Sequence, residues 1–368
     1  MTVNADFVVI GSGLSGLNSV LAIAKELPKT SIILIEPHSV TTGASSAPMG
    51  LLNPSTSRSP NIIEDAESLL DQAIANYGEL RNEENELILA KKGIFKAVPL
   101  GEDAPKWKQK YHKTAWPDGW SEWVEAKDVE HKLEMHKEAA PNGGILIHES
   151  WVVPMAKLRS ALIKKCKALT SHFIEKPIEK IDVTKKEIYL KNISIKYDNI
   201  LLANGYDIFI DTYFSSWLTA HPIKGQMLTI TTSALPSFKI AITNSGYLGQ
   251  LSESKYAVGS TYEHHFSHLK PDDDGRDRLI KKSQHLLGYE LPEKNIDSFN
   301  QWTAVRVASK DRKPLIGKHP EIEGLYLING MASKGLIYAP TAAKHLVAYI
   351  LGDKKALKNW DLQRYLAK

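Results

Sequence analysis

The stretch Phe7 to Gly16, taken with Glu36, constrains this chain more than any other. Phe7-Val8-Val9-Ile10 is an unbroken apolar run that ends in Gly11-Ser12-Gly13-Leu14-Ser15-Gly16, and Leu17 to Leu27 carries apolar residues at helical spacing. Strand, glycine turn and helix are the implied order. Gly11 permits the tight turn, Gly13 lets backbone approach a pyrophosphate, and Gly16 lets the helix pack closely. The helix N-terminus offers unpaired N–H groups and the positive end of its dipole. A second strand, Ser31 to Ile35, ends in Glu36, 20 residues beyond Gly16. A carboxylate there accepts both ribose hydroxyls of an adenosine and repels a 2′-phosphate, so dinucleotide binding is the expectation.

Composition narrows the remaining classes. At 368 residues the chain suits two domains or one interrupted domain, and its 43% hydrophobic residues supply a sizeable core. No apolar run approaches ~20 residues and no leader-like segment precedes the first strand, which leads to the expectation of a cytoplasmic protein. The single Cys166 excludes an internal disulfide and any cysteine metal cluster, and its helix-like setting makes it structural. A net charge of +4 is mild, so lysine-rich stretches such as Lys108 to Lys113 read as solvated faces and charge alone gives no nucleic-acid footprint.

Along the chain, Gly43-Ala44-Ser45-Ser46-Ala47-Pro48-Met49-Gly50-Leu51-Leu52-Asn53-Pro54 reads as a loop of small residues that crowds a ligand. Ile62 to Leu80 has helical periodicity, with Ala66, Leu69, Leu70, Ala73 and Tyr77 on one face. Gly93 to Val98 reads as a strand, and Trp107, Trp116, Trp120 and Trp123 after it as a small aromatic core. Gly144 to Ile147 and Trp151 to Pro154 open a return to alternating strand and helix, followed by a proline-started helix to about Leu169 and the strand Asn199 to Gly205. Beyond Trp217, short alternating strands predict an antiparallel sheet interrupted by a helix over Asp273 to Leu287. Gly324 to Gly330, the turn Met331 to Gly335 and an apolar helix from about Ile337 repeat the N-terminal strand, turn and helix.

These separated segments, together with Trp151-Val152-Val153-Pro154, Ala203-Asn204-Gly205, Lys224-Gly225-Gln226, Val258 to Thr261 and Trp302 to Arg306 with Asp311, Pro314 and Gly317, resemble the D-amino acid oxidase family of flavoproteins, which includes glycine and sarcosine oxidases. Within it, Gly43 to Pro54 and Ser333 to Pro340 look most like the oxidoreductase half of the bifunctional enzyme that makes 5-methylaminomethyl-2-thiouridine in tRNA. The methyltransferase half of that enzyme has no counterpart in this sequence, and no cysteine stands near the C-terminal flavin segment where covalent sarcosine oxidases carry theirs.

The resemblance implies an α/β fold, a Rossmann-like FAD-binding domain (1–82, 143–214, 306–368) with an interleaved antiparallel-sheet substrate domain (83–142, 215–305). It implies noncovalent FAD, held by Gly11, Ser12, Gly13, Leu14, Ser15, Gly16, Glu36, Pro37, Thr42, Gly43, Ala44, Ser45, Ser46, Met49, Gly50, Leu51, Ile178, Ala203, Asn204, Gly205, Gly330, Met331, Lys334, Gly335, Leu336 and Ile337. FAD accepts hydride at N5, so the protein need only bind, orient and tune. Arg306, a cation in the apolar stretch Ala304 to Ala308, is the candidate clamp for a substrate carboxylate, with a buried pair to Asp311 or another acid as the alternative. Lys334 fits a cation beside the reduced flavin, or else a solvated turn lysine. Tyr247 and Tyr262, read as lying on substrate-sheet strands, either wall the pocket or pack. His264 and His265 lack an acid or thiol at ligand spacing, so no metal is expected. The first function implied is oxidation of the C–N bond of a glycine-like amino acid or secondary amine to an imine. The same chemistry on carboxymethylaminomethyl-uridine of tRNA is the alternative, and a non-catalytic flavin or electron-transfer subunit is the alternative of another class.

Overall fold

A computed structural model describes residues 2–38, 43–56 and 59–366. In chain order the strands are β1 (Thr2–Ile10), β2 (Ile32–Glu36), β3 (Met49–Leu52), β4 (Lys91–Ala97), β5 (Ser121–Val124), β6 (Gly144–Pro154), β7 (His172–Glu175), β8 (Ile178–Asp182), β9 (Glu187–Leu190), β10 (Ile193–Leu202), β11 (Ala220–Thr231), β12 (Ala241–Thr243), β13 (Tyr247–Ser252), β14 (Lys255–Gly259), β15 (Ser298–Ser309), β16 (Leu315–Lys318) and β17 (Leu325–Asn329). The α-helices are α1 (Leu14–Glu26), α2 (Ala66–Tyr77), α3 (Ala104–Lys113), α4 (Val129–Leu133), α5 (Met155–Lys167), α6 (Asp273–Leu287) and α7 (Gly335–Ile350). They form two compact units: Met1–Ser46, Lys157–Ile223 and Val305–Lys368 make the first, Ala47–Ala156 and Lys224–Ala304 the second.

The first unit is built on a sheet of order β16-β17-β10-β1-β2-β7, with β9 and β8 added beside β10. The four apolar runs of the sequence become four adjacent parallel strands, buried on both faces, as central parallel strands must be. Their register is level at one end: Ile10 lies opposite Ile35 and Leu202, and Leu202 opposite Leu327. Gly11, Glu36 and Ala203 therefore emerge together at the carboxyl edge, where open α/β sheets bind ligands. Helices α1 and α7 pack against each other. From below, Cys166 of α5 donates its thiol to the Leu17 carbonyl at 3.4 Å, and burial pushes that thiol up to about 12.

The second unit carries a sheet of order β15-β11-β14-β13-β12-β4-β6-β3, with β5 paired to β6. Antiparallel pairing joins β11 to β14, β14 to β13, β13 to β12, and β6 to β3, β4 and β5, as expected, while β12 and β4 run parallel. Three further expectations change here. Gly144 to Ile147 and Trp151 to Pro154 are one strand, β6, paired with β3, β4 and β5. Met49 to Leu52 is the strand β3 rather than loop. In consequence 47–82 and 143–156 cluster with the second unit, because cross-strand hydrogen bonds fix which sheet a strand joins and its own apolar pattern does not. The face of α2 is as read: Ala66, Leu69, Leu70, Ala73 and Tyr77 are buried. Trp107 joins Val98, Ile145 and Ile147 in a small core, with Trp116 and Trp123 packed against it, whereas Trp120 lies outside.

Residues of the Lys224-Gly225-Gln226 segment anchor the second unit's polar interior. Lys224 is 1% exposed, with its ammonium 2.9 Å from Asp272 and 3.3 Å from Glu263. Gln226 Nε2 donates to the same two acids at 3.0 Å each, and Asp272 also caps α6 by accepting from Gly275 N–H at 2.8 Å. Despite the cost of burial, hydrogen bonds and the Lys224 charge hold both carboxyls below the usual carboxylate range. Such groups contribute stability above their unfolded values and lose it as pH falls through the folded ones. Lys224→Met is expected to cost about 3 kcal/mol at pH 7, since one partner of a buried pair is removed. The deficit against the parent should shrink on acidification below about pH 4 as the stranded carboxylates take up protons. Denaturant unfolding at pH 7 and pH 3.5 checks this, and a deficit of constant size refutes it.

Candidate cofactor and active site

At the carboxyl edge of the first sheet the glycine turn is held by backbone contacts. Gly11 has φ +100°, and a Cβ there would stand 2.5 Å from the Ala203 carbonyl oxygen. A Cβ on Gly16 would lie 1.9 Å from the Gly11 carbonyl oxygen, so the helix packs on the turn itself. Gly13 differs: its Cβ would meet only the Ser45 side chain, with Oγ at 3.2 Å. That hydroxyl accepts from Leu14 N–H at 3.0 Å. The first intrahelical bond of α1 runs from Leu17 N–H to Gly13 O at 3.0 Å, leaving the Ser15 and Gly16 N–H groups ahead of it.

Glu36 closes the other side. Ser12 N–H and Oγ both donate to its Oε2, at 2.8 and 2.6 Å, and His38 N–H donates to Oε1 at 3.1 Å. Pro37 is half-buried between them in sequence, and His38 Nε2 stands 2.6 Å from Asp207. Thr42 lies outside the described residues. Gly43 and Ala44 are exposed, and Ala44 to Ser46 form a single 3-10 turn.

Behind β10, Asn204 Nδ2 donates to Asp211 at 3.0 Å, and Asn329 Nδ2 at the end of β17 donates to the Gly205 carbonyl at 2.9 Å. Burial pushes the Asp211 carboxyl up, opposed by hydrogen bonds from Phe214, Asn204 and Tyr213. Gly330, with φ +74°, starts the turn into α7, and the first turn of that helix closes on the Lys334 carbonyl, from Ile337 and Tyr338 N–H at 3.1 and 2.9 Å. Gly335 stands beside Leu14, a Cβ there falling 3.5 Å from Leu14 Cδ1. Two helix N-termini thus start side by side above the level strand ends, and Leu336 and Ile337 are buried beneath. This is a cradle of bare backbone, donor N–H groups and one buried acid, which fits a dinucleotide.

The end of β15 joins the cradle. Ala332 N–H donates to the Val307 carbonyl at 2.9 Å, and Ala308 bridges Met331, which lays the strand after Val305 against the turn into α7. Val307 enters the first unit's core, so half-buried Arg306 points to the opposite face. Asp311, the acid weighed as its partner, is engaged by Arg364, whose Nε and Nη2 lie 2.9 and 3.1 Å from its two oxygens. Lys334 caps α7 by position; the residue is half-buried, yet burial of its ammonium pushes it down to about 8.

Other expected residues lie on other elements. Ile178 opens β8 and packs against the first unit's core. Met49 is buried in the second unit's core with Met227 and Ala257, beside half-buried Gly50 and Leu51. Tyr247 lies on β13 with its hydroxyl 3.2 Å from Met227 Sδ. Tyr262 is corrected: it follows the end of β14, off the strand, and is 45% exposed. Arg159 went unnoticed in the sequence although it is 6% exposed and donates from Nη2 to the Ser12 carbonyl at 3.2 Å. Its signal was positional, one helical turn after Met155 on the buried stripe of α5 with Leu162 and Cys166. Among the described residues no three His, Cys, Asp or Glu side chains gather as a metal site, and no helix is long and apolar enough to cross a membrane.

Comparison with known proteins agrees with this geometry. Residues 6–349 match the family model "FAD dependent oxidoreductase" (DAO). The chain is 26% identical over 371 residues to the tRNA 5-methylaminomethyl-2-thiouridine biosynthesis bifunctional protein MnmC of Thiobacillus denitrificans, covering 98% of this chain and 58% of that protein. It is 23% identical over 206 residues to the glycine oxidase of Bacillus subtilis, covering 54% of each. It thus spans little more than half the length of these relatives. Among solved structures, glycine oxidase from Geobacillus kaustophilus superimposes with a TM-score of 0.80 at 21% identity, over 98% of this chain and 99% of that one. A strand, glycine turn and helix of this form define a dinucleotide-binding fold. The chain belongs to the DAO family of FAD-dependent oxidoreductases, and FAD is its cofactor.

The glycines make separable demands. Gly16→Ala is expected to destabilise by about 1–3 kcal/mol, because overpacking against backbone outweighs the ~1 kcal/mol that alanine gains in a helix. Gly13→Ala, meeting only a movable hydroxyl, should unfold within about 0.5 kcal/mol of the parent once FAD is removed from both. Denaturant titrations of the stripped proteins decide, and equal losses at the two positions would contradict the contrast.

Proposed function

We propose that this protein oxidises the C–N bond of a glycine-like amino acid or secondary amine to an imine, which water then hydrolyses. The carrying observation is the Ala332 to Val307 hydrogen bond, which supports a place for Arg306 beside the turn that opens α7. The glycine turn, Ser12, Glu36 and the two helix N-termini hold FAD, the first unit acting as its domain and the second as the substrate domain. Noncovalent attachment is part of this reading, since the one cysteine is buried under α1. Bound FAD supplies the two-electron acceptor, taking hydride at N5. Arg306 holds the substrate carboxylate through its two-pronged guanidinium, which fixes the carbon that loses hydride. Tyr247 and Tyr262 are proposed as lesser contributors to the substrate side.

Removal of the carboxymethyl group from carboxymethylaminomethyl-uridine of tRNA is the second reading. It is favoured by the alignment to the bifunctional tRNA protein over nearly this whole chain. Both readings place a carboxylate against Arg306, and both reject a non-catalytic flavin subunit.

Arg306→Lys keeps the charge but loses the paired geometry, so one charge-assisted hydrogen bond worth roughly 1.5–3 kcal/mol is lost. That amounts to about a ten- to hundredfold fall in kcat/KM, with Arg306→Ala losing more. Anaerobic flavin bleaching by glycine-type acids and by their decarboxylated amines is the check: the parent should prefer the acids and the variants should not. Folded variants that keep the preference remove Arg306 as the clamp.

Lys334 is a tuning cation in this reading. Its lowered value leaves it charged below about pH 8 and neutral above. Lys334→Met should lower the flavin midpoint potential at pH 7 by about 30 mV, the two-electron equivalent of ~1.4 kcal/mol. The gap between parent and variant should close as pH rises past 8. An unshifted or raised potential excludes the role.

A further inference from the structure

Glu36 and Arg159 bury opposite charges on either side of one residue, Ser12. Glu36 is 7% and Arg159 6% exposed. Ser12 stands between them, its N–H and Oγ donating to Glu36 Oε2 and its carbonyl accepting from Arg159 Nη2 at 3.2 Å. Among the described residues, the other charged groups placed beside Glu36 are engaged elsewhere or carry its own sign. Glu175, its register partner on β7, is an exposed carboxylate, and His38 and Asp207 are engaged with each other at 2.6 Å. Burial lowers the Arg159 guanidinium while the Glu36 charge raises it, so the two feel each other.

We infer that Arg159 is a positioning residue for the adenosine end of the cofactor, supplying the counter-charge to Glu36 and holding the Ser12 carbonyl so that the remaining lone pair of Glu36 faces the ribose. The inference rests on the reading that Glu36 accepts the ribose hydroxyls. A carboxylate at this depth is costly unless hydrogen-bonded and charge-balanced. Ser12 supplies hydrogen bonds but no charge. Arg159 supplies charge through the Ser12 carbonyl, from beneath, and takes up none of the acceptor capacity that a ribose needs. A guanidinium suits this place because it is weakly hydrated and stays charged when buried.

The test is FAD release on dilution of the holoprotein, read as recovered flavin fluorescence between pH 5.5 and 8.5. The forms compared are the parent, Arg159→Met, Arg159→Lys, Glu36→Gln and the double variant Glu36→Gln with Arg159→Met. Arg159→Met should hold FAD about tenfold less tightly, with the deficit growing as pH falls, because a buried carboxylate without its counter-charge takes up a proton more readily. Arg159→Lys should recover most of the loss. In the Glu36→Gln background, Arg159→Met should add no pH dependence. A pH-independent loss, or the same pH dependence without the Glu36 carboxylate, overturns the inference. If Arg159→Met does not fold, folding restored in the double variant supports the coupling and failure of both counts against it. Glu36→Gln that holds FAD as tightly as the parent defeats the ribose reading itself. Weakened Glu36→Gln with a flat Arg159→Met profile leaves that reading intact and removes only Arg159.

Discussion

Everything at the cofactor edge depends on one close approach, that of Gly16 to the Gly11 carbonyl, where a single methyl group would fall 1.9 Å from oxygen. This contact fixes how far α1 descends onto the turn, and with it the height of the helix N-terminus above the level strand ends. α7 packs against α1, so its start at Gly335 inherits the same height. The turn before α7 then receives the end of β15 through Ala332 and Val307. One backbone approach therefore sets where two helix dipoles begin and where the strand bearing Arg306 ends.

Both units meet the problem of buried charge in the same way and to different ends. In the second, Lys224 with Glu263, Asp272 and Gln226 forms a network that ties the start of α6 to β11 and to the segment after β14. Every group in it is turned inward on another, which is the signature of a scaffold. In the first, Glu36 accepts from Ser12 and His38 and retains acceptor capacity. An open network at a sheet's carboxyl edge is a place prepared for something else to complete.

What the sequence disclosed follows from the range of the forces involved. Local periodicity located α2 and α6 and the four central parallel strands, because each buries its own apolar face or run. The glycine turn and Glu36 were legible because their spacing is itself the geometry. The pairing partners of β3 and β6 were not, since an apolar strand carries no record of which neighbour completes its hydrogen bonds. Arg159 was hidden for a similar reason: one arginine in a lysine-rich helix looks solvated until the turn above it is placed. Tyr262 sits three residues past the end of β14, beyond the reach of an alternating pattern.

The parallel pair of β12 with β4 brings Ile242 beside Phe95, and β1 takes its second neighbour, β10, from nearly two hundred residues further along. Each sheet is thus stitched from distant lengths of chain. During synthesis Phe7 to Ile10 precede Ile200 to Leu202 by nearly two hundred residues, and their second edge stays uncovered until those residues arrive. Until then this apolar run has an open side. A chain of this design carries an exposed strand edge, the kind that invites mispairing, for as long as β10 is missing.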